Sequence, residues 1–176
     1  MKTLIIVIHP KMEESLINKR WVEELNKFPE KYVVHQLYET YPDEKIDVVK
    51  EQELIESYDK IIFQFPLYWF SSPPFLKKWF DEVLLYGWAY GSKSGYKVGG
   101  KKVALAISAG IDEQEFQVTG KYKYTIKELT RPFELTFDYI KANYKEPFVF
   151  YGIEQNPSKE WIERSVPMYL DFIDRL

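Results

Sequence analysis

Short apolar runs punctuate the chain, and between them apolar residues recur every three or four positions. Thr3 to Ile8 (TLIIVI) is continuous and rich in β-branched residues, the pattern of a strand buried on both faces. From about Ser15, the residues Ile17, Trp21, Leu25 and Phe28 share one helical face, and Pro29 ends that helix. Lys31 to Tyr38 (KYVVHQLY) predicts a second strand, and Asp47 caps a helix carrying Val48, Leu54 and Ile55. Asp59 to Phe65 (DKIIFQF) predicts a third strand, stopped by Pro66, and the spacing of Phe75, Leu76, Trp79, Phe80, Val83 and Leu84 predicts a helix after it. Lys102 to Ser108 (KVALAIS) reads as the fourth strand. Thr125-Ile126-Lys127-Glu128 fits a capping box that opens a short helix, and Pro132 suits the first turn of a second one, running to about Asn143. Pro147 to Ile153 (PFVFYGI) predicts a fifth strand, and Ser158 caps a final helix with Trp161, Val166 and Leu170.

Strands that alternate with helices must be parallel, because each return to the same sheet edge needs a crossover. The expected architecture is α/β: a doubly wound, five-stranded parallel sheet with helices on both faces, in three layers. The length of 176 residues suits one domain, residues 1–176. Gly87 to Gly100 holds five of the eight glycines and reads as a surface excursion.

Composition narrows the function classes. Hydrophobic residues at 45% and charged ones at 29% fit a globular chain, and 24 Lys+Arg against 27 Asp+Glu argue against a nucleic-acid partner. The absence of cysteine excludes a disulfide framework, a thiolate metal site and a cysteine nucleophile. With only His9 and His35, no metal site is expected. No apolar stretch approaches the ~20 residues that span a bilayer, so no membrane insertion and a cytoplasmic location are expected.

In an open parallel sheet, ligands bind beyond the carboxyl ends of the strands. The loop after the first strand leads from His9 through Ser15, Leu16, Ile17 and Asn18 into a helix N-terminus, where unpaired N–H groups favour an anion; Ser15 equally fits a plain N-cap. After the third strand, Pro66, Leu67, Tyr68, Trp69 and Phe70 precede Ser71-Ser72-Pro73-Pro74. Three successive aromatics in a proline-stiffened loop offer a platform for a planar ligand, or a contact for a partner. After the fourth strand, Ser108, Ala109, Gly110 and Ile111 bring backbone N–H groups close to a ligand edge that gains negative charge. No Gly-x-Gly-x-x-Gly or Walker pattern is present.

These loops resemble the flavodoxin-like NAD(P)H:quinone oxidoreductases, in particular the short bacterial branch that includes general stress protein 14 and the ancillary subunits of potassium efflux systems. The resemblance rests on His9-Pro10…Ser15-x-x-Asn18-Lys19, Leu37-Tyr38…Tyr41-Pro42-Asp43, and Ile46-Asp47…Glu51-Gln52. It continues through Phe63-Gln64-Phe65-Pro66-Leu67-Tyr68-Trp69-Phe70-Ser71-Ser72-Pro73-Pro74, Leu76-Lys77-Lys78-Trp79 and Tyr86-Gly87-Trp88-Ala89-Tyr90-Gly91. It implies a flavodoxin-like fold, FMN (alternatively FAD) as cofactor, and hydride transfer from NAD(P)H through the flavin to a quinone or similar small aromatic acceptor, by turns in one pocket. It also implies a homodimer with the flavin at the interface. The flavin contacts it implies are His9 and Ser15 to Asn18 for phosphate and ribityl, Pro66 to Phe70 along the ring, and Ser108 to Ile111 at its second edge. Where the family has Thr-Thr-Gly-Gly this chain has Ser108-Ala109-Gly110-Ile111, and where mammalian members place a Tyr and a His it has Phe116 and Tyr122, with Lys123 and Tyr124 adjacent. Tyr122, Lys123 and Tyr124 are thus the catalytic candidates. A flavodoxin-type electron carrier and a flavin-binding regulatory subunit of a potassium efflux channel are the alternative readings.

Overall fold

The computed structural model describes residues 2–176. Its sheet is built from β1 (Thr3–Val7), β2 (Tyr32–Gln36), β3 (Lys60–Pro66), β4 (Lys102–Ser108), β5 (Asn143–Tyr144) and β6 (Phe148–Phe150). The spatial order is β2-β1-β3-β4-β5, with β6 also beside β4, and every pairing is parallel. The chain passes from β2 over β1 to β3, so the loops leaving β1 and β3 diverge and open a crevice at their carboxyl ends.

Helices α1 (Ile17–Leu25) and α7 (Lys159–Arg175) cover one face; α3 (Val48–Glu56), α4 (Pro74–Val83) and α6 (Arg131–Tyr139) cover the other, after the single turns α2 (Leu37–Thr40) and α5 (Ile126–Leu129). Alternate residues of each central strand supply the two cores, because side chains of a strand point to opposite faces. Leu4, Ile6, Ile61, Phe63, Phe65, Val103, Leu105 and Ile107 face α3, α4 and α6, where Phe63 packs on Trp79, Phe80 and Phe137 at centroid distances of 5.4–5.6 Å. Ile5, Val7, Ile62, Ala104 and Ala106 face the other way, and the two alanines leave room for Trp21 and Tyr169, whose rings meet at 4.4 Å.

Local signals explain most boundaries. Asp47 accepts from the Lys50 N–H, both halves of the Thr125–Glu128 capping box form, and Ser158 accepts from the Trp161 N–H. Four boundaries differ from the sequence expectation. Helix α1 stops at Leu25 with Asn26 as its C-cap, before Phe28 and Pro29. The second strand stops at Gln36, because its pairing with β1 ends at Val7 opposite Gln36, and Leu37–Tyr38 turn into α2 instead. Helix α6 ends at Tyr139 and does not reach Asn143: Lys141 adopts φ +62° and the Ala142 N–H returns to the Phe137 carbonyl at 2.9 Å, a helix-closing turn. The fifth strand is split. Tyr144 lies opposite Val103 and Phe148 opposite Ala106, so the edge strand spends one more residue than its neighbour. That bulge sits just before Pro147, which has no N–H to offer the ladder.

Candidate active site at the carboxyl edge of the sheet

Three loops meet at this edge over a buried polar floor. Gln64, alone among apolar residues of β3, donates its amide to Asn18 Oδ1 at 3.2 Å and accepts from the Tyr169 hydroxyl at 3.0 Å. Asn18 in turn donates to Ser108 Oγ at 2.8 Å. All four side chains are buried, so the start of α1, the ends of β3 and β4, and α7 are held in one register. Asn18 therefore spends its amide on Ser108 and Gln64, and Ser108 its oxygen on Asn18, below the surface of the crevice. Sequence reasoning passed over Gln64 and Tyr169 as site supports; the polar interruption of an apolar strand was the available signal for Gln64.

In the first loop, Ser15 Oγ accepts the Asn18 N–H at 3.1 Å, which makes Ser15 the cap of α1. The N–H groups of Leu16 and Ile17, at the positive end of the helix dipole, find no acceptor among the described residues. Half-buried His9 accepts the Lys11 N–H on Nδ1 at 3.2 Å, so in the neutral ring the proton is on Nε2. Burial pushes the His9 pKa down, against a smaller upward pull from Glu14. The ring thus offers a neutral donor rather than a charge. Its neighbours Pro10, Gln36, Tyr38 and Glu39 line a cleft of about 480 Å³.

The second loop is a tight turn: Tyr68 and Ser71 exchange backbone bonds of 3.0 and 2.9 Å around Trp69 (φ +46°) and Phe70 (φ +62°). Two successive left-handed residues form the kind of turn that normally uses Asn-Gly, and each costs roughly 1–2 kcal/mol for a residue with a Cβ. Strain of this kind, held by the flanking ladder, accumulates where backbone geometry serves a site. The turn leaves Trp69 94% exposed and the N–H groups of Trp69 and Phe70 without acceptors among the described residues. The Leu67 N–H bonds the Ser108 carbonyl at 2.8 Å, which joins the turn to the third loop. There the Ala109 N–H is used by Phe150, whereas those of Gly110 and Ile111 have no acceptor among the described residues.

Among the catalytic candidates the fold separates one from two. The Tyr122 ring meets Phe70 at 5.0 Å and Phe116 at 5.0 Å, and Phe116 meets Tyr151 at 5.9 Å. A backbone bond of 3.0 Å from Tyr122 to Glu115 returns the loop to this position. Lys123 (φ +61°) turns the chain outward, and Tyr124 is 59% exposed and stacks on no other ring among the described residues. Tyr151 and Glu154, beside the third loop, were not anticipated. A larger hollow of about 770 Å³ lies between α4 and α6, lined by Phe80, Leu84, Phe133 and Tyr139 and reaching Ser71 and Ser72 of the second loop.

A doubly wound parallel sheet in this strand order, with its strand-end loops gathered at one edge, is a flavodoxin-type architecture. The chain belongs to the flavodoxin-like fold family, whose profile matches residues 1–170. It is 47% identical over 175 residues to general stress protein 14 of Bacillus subtilis (99% of this chain, 98% of that one). It is also 47% identical over 173 residues to an uncharacterized NAD(P)H oxidoreductase of the same organism (98% of each chain). The potassium-efflux system ancillary protein KefG of Cronobacter sakazakii shares 37% identity over 159 residues (90% of this chain, 85% of that one). Among solved structures, general stress protein 14 of Treponema denticola in complex with FMN aligns with a TM-score of 0.94 at 43% identity, covering 99% of both chains. An NADPH-quinone reductase of P. pentosaceus aligns at 0.87 with 31% identity, covering 98% of both.

Proposed function

We propose that residues 1–176 work as one flavodoxin-like domain that binds FMN and reduces quinones or related small aromatic acceptors with NAD(P)H. The observation that carries this reading is the set of six backbone N–H groups, two on each strand-end loop, that find no acceptor among the described residues and are backed by a buried polar floor. The chemistry of that donor set fits the cofactor: an anion on a helix N-terminus, and a polar-edged flat ring against two loops. The FMN-bound relative at 43% identity supports FMN over FAD.

Leu16 and Ile17 hold the phosphate with the α1 dipole behind them, and the neutral His9 ring adds a donor from Nε2. Pro66 to Phe70 would flank the ring system, and Gly110 and Ile111 would hold its second edge through their N–H groups. Bound there, FMN supplies two-electron hydride chemistry that no side chain of this protein possesses. Exposed Trp69 and Phe70 would offer their rings to the nicotinamide and the acceptor by turns, holding each beside the bound cofactor. Tyr122, packed on Phe70, offers its hydroxyl to the charge that develops, in place of the histidine of mammalian members.

A second copy of the chain completes the pocket. Exposed Trp69, Tyr86, Leu135 and Tyr139 supply apolar surface for that contact. The likeness to KefG supports a second role as ancillary partner of a potassium efflux system, to be tested by co-purification with the channel. No described helix is long and apolar enough to cross a membrane.

Initial rates at varied NADPH and a simple naphthoquinone test the reading. Parallel double-reciprocal lines are expected for one pocket used by turns. Turnover that requires a separate reductase protein would make the molecule an electron carrier instead.

A further inference from the structure

Against the third loop lies a charge that the donor set alone would not require. The turn after β6 is tied down on it: Gly152 N–H donates to the Ile111 carbonyl at 3.1 Å, Glu154 N–H to the Gly110 carbonyl at 3.0 Å, and Asn156 N–H to Gly152 at 2.8 Å. With its backbone fixed there, the Glu154 side chain folds over Gly110. A β-carbon built on Gly110 would stand 2.3 Å from Glu154 Oε1 and 2.5 Å from Cδ. Among the described residues this carboxylate has no hydrogen-bond donor and no ion-pair partner. A second carboxylate, Asp112 at the end of the third loop, lies against the same turn, its Oδ1 2.4 Å from a β-carbon built on Gly152. An acidic group without a partner thus sits beside the free N–H groups of Gly110 and Ile111.

We propose that Glu154 sets the redox poise of the bound flavin by opposing the negative charge that reduction brings to the edge held by Gly110 and Ile111. This rests on the flavin reading above. A hydride from the nicotinamide delivers two electrons and one proton and leaves NAD(P)⁺, so a neutral ring system gains one net negative charge. The N–H pair favours that charge and the carboxylate disfavours it. The balance keeps the reduced cofactor ready to give its electrons to an acceptor. Because Glu154 is exposed, its effect is moderate and sensitive to salt.

The test compares FMN-reconstituted wild type, Glu154→Gln and, as control, Glu53→Gln on the exposed side of α3. Midpoint potentials are read spectroscopically against a reference dye at low and high salt. Glu154→Gln is expected to favour reduction by about tenfold, a positive shift of about 30 mV for a two-electron couple, shrinking at high salt. Glu53→Gln should match wild type. An unchanged potential in Glu154→Gln with flavin fully bound would overturn the proposal and leave the flavin site standing. Failure of the wild type to retain FMN would remove both.

Discussion

Replacing Gln64 with leucine tests the polar floor on which the three loops rest. Leucine is near Gln in size, so the change leaves no large cavity. It strands the Tyr169 hydroxyl, which now donates to Gln64 at 3.0 Å, and Asn18 Oδ1, which now accepts from it at 3.2 Å. Each buried group left unpaired costs about 1–3 kcal/mol, and the added apolar surface offsets part of that, so a loss of about 3 kcal/mol is expected. For a chain of this length that lowers Tm by about 6–12 °C. Urea unfolding should show the lower midpoint with an unchanged slope. Tyr169→Phe alone should cost about 1 kcal/mol, and the double variant less than the sum of the two, because both remove the same bond. If Gln64→Leu unfolds within about 0.5 kcal/mol of wild type, the network does not hold the strand ends and the reasoning fails.

Glu51 should prove the most costly carboxylate to neutralise. It is buried and accepts from His35 Nε2 and Trp79 Nε1 at 2.7 Å and from the Tyr41 hydroxyl at 2.8 Å; Glu51→Gln should lose about 2–4 kcal/mol in urea unfolding at neutral pH. Burial pushes the Glu51 pKa up, but its three donors pull it below the usual carboxylate value overall. Its contribution is therefore present above that usual value and lost as pH falls through the lower folded one, so the gap between wild type and Glu51→Gln should narrow in acid. Two glycines should separate folding from binding. Gly110→Ala meets only the exposed Glu154 side chain, which can turn toward solvent, and should fold normally yet bind FMN more weakly in a fluorescence titration. Gly120→Ala puts a β-carbon 2.2 Å from the Gln114 carbonyl, which cannot swing away, and should lower the thermal midpoint while displacing Tyr122.

Strand-to-helix alternation was readable because both faces of β1, β3 and β4 are buried, which demands unbroken apolar runs; β4 falls exactly where its run lies. The sheet edges were less legible. At β2 and β5–β6 the end of a strand depends on where its neighbour stops, as Gln36 shows opposite Val7. The three loops could be located from the strand ends, but the roles of their side chains could not. Asn18 and Ser108 look like surface donors in sequence and become partners only because the fold sets the start of α1 against the end of β4. The left-handed turn at Trp69 and Phe70 carries no Asn-Gly signature, so nothing local announced it. Tyr122 separates from Lys123 and Tyr124 only through its packing on Phe70 and Phe116, contacts set by a long loop.

The central claim is that these loops hold FMN where NAD(P)H can reach it. The most direct measurement is the absorption spectrum of the purified protein, mixed with FMN, desalted, and then treated anaerobically with NADPH. The account predicts one flavin retained per chain, with its visible bands bleaching directly to the fully reduced form. Protein that emerges from desalting without flavin would contradict it.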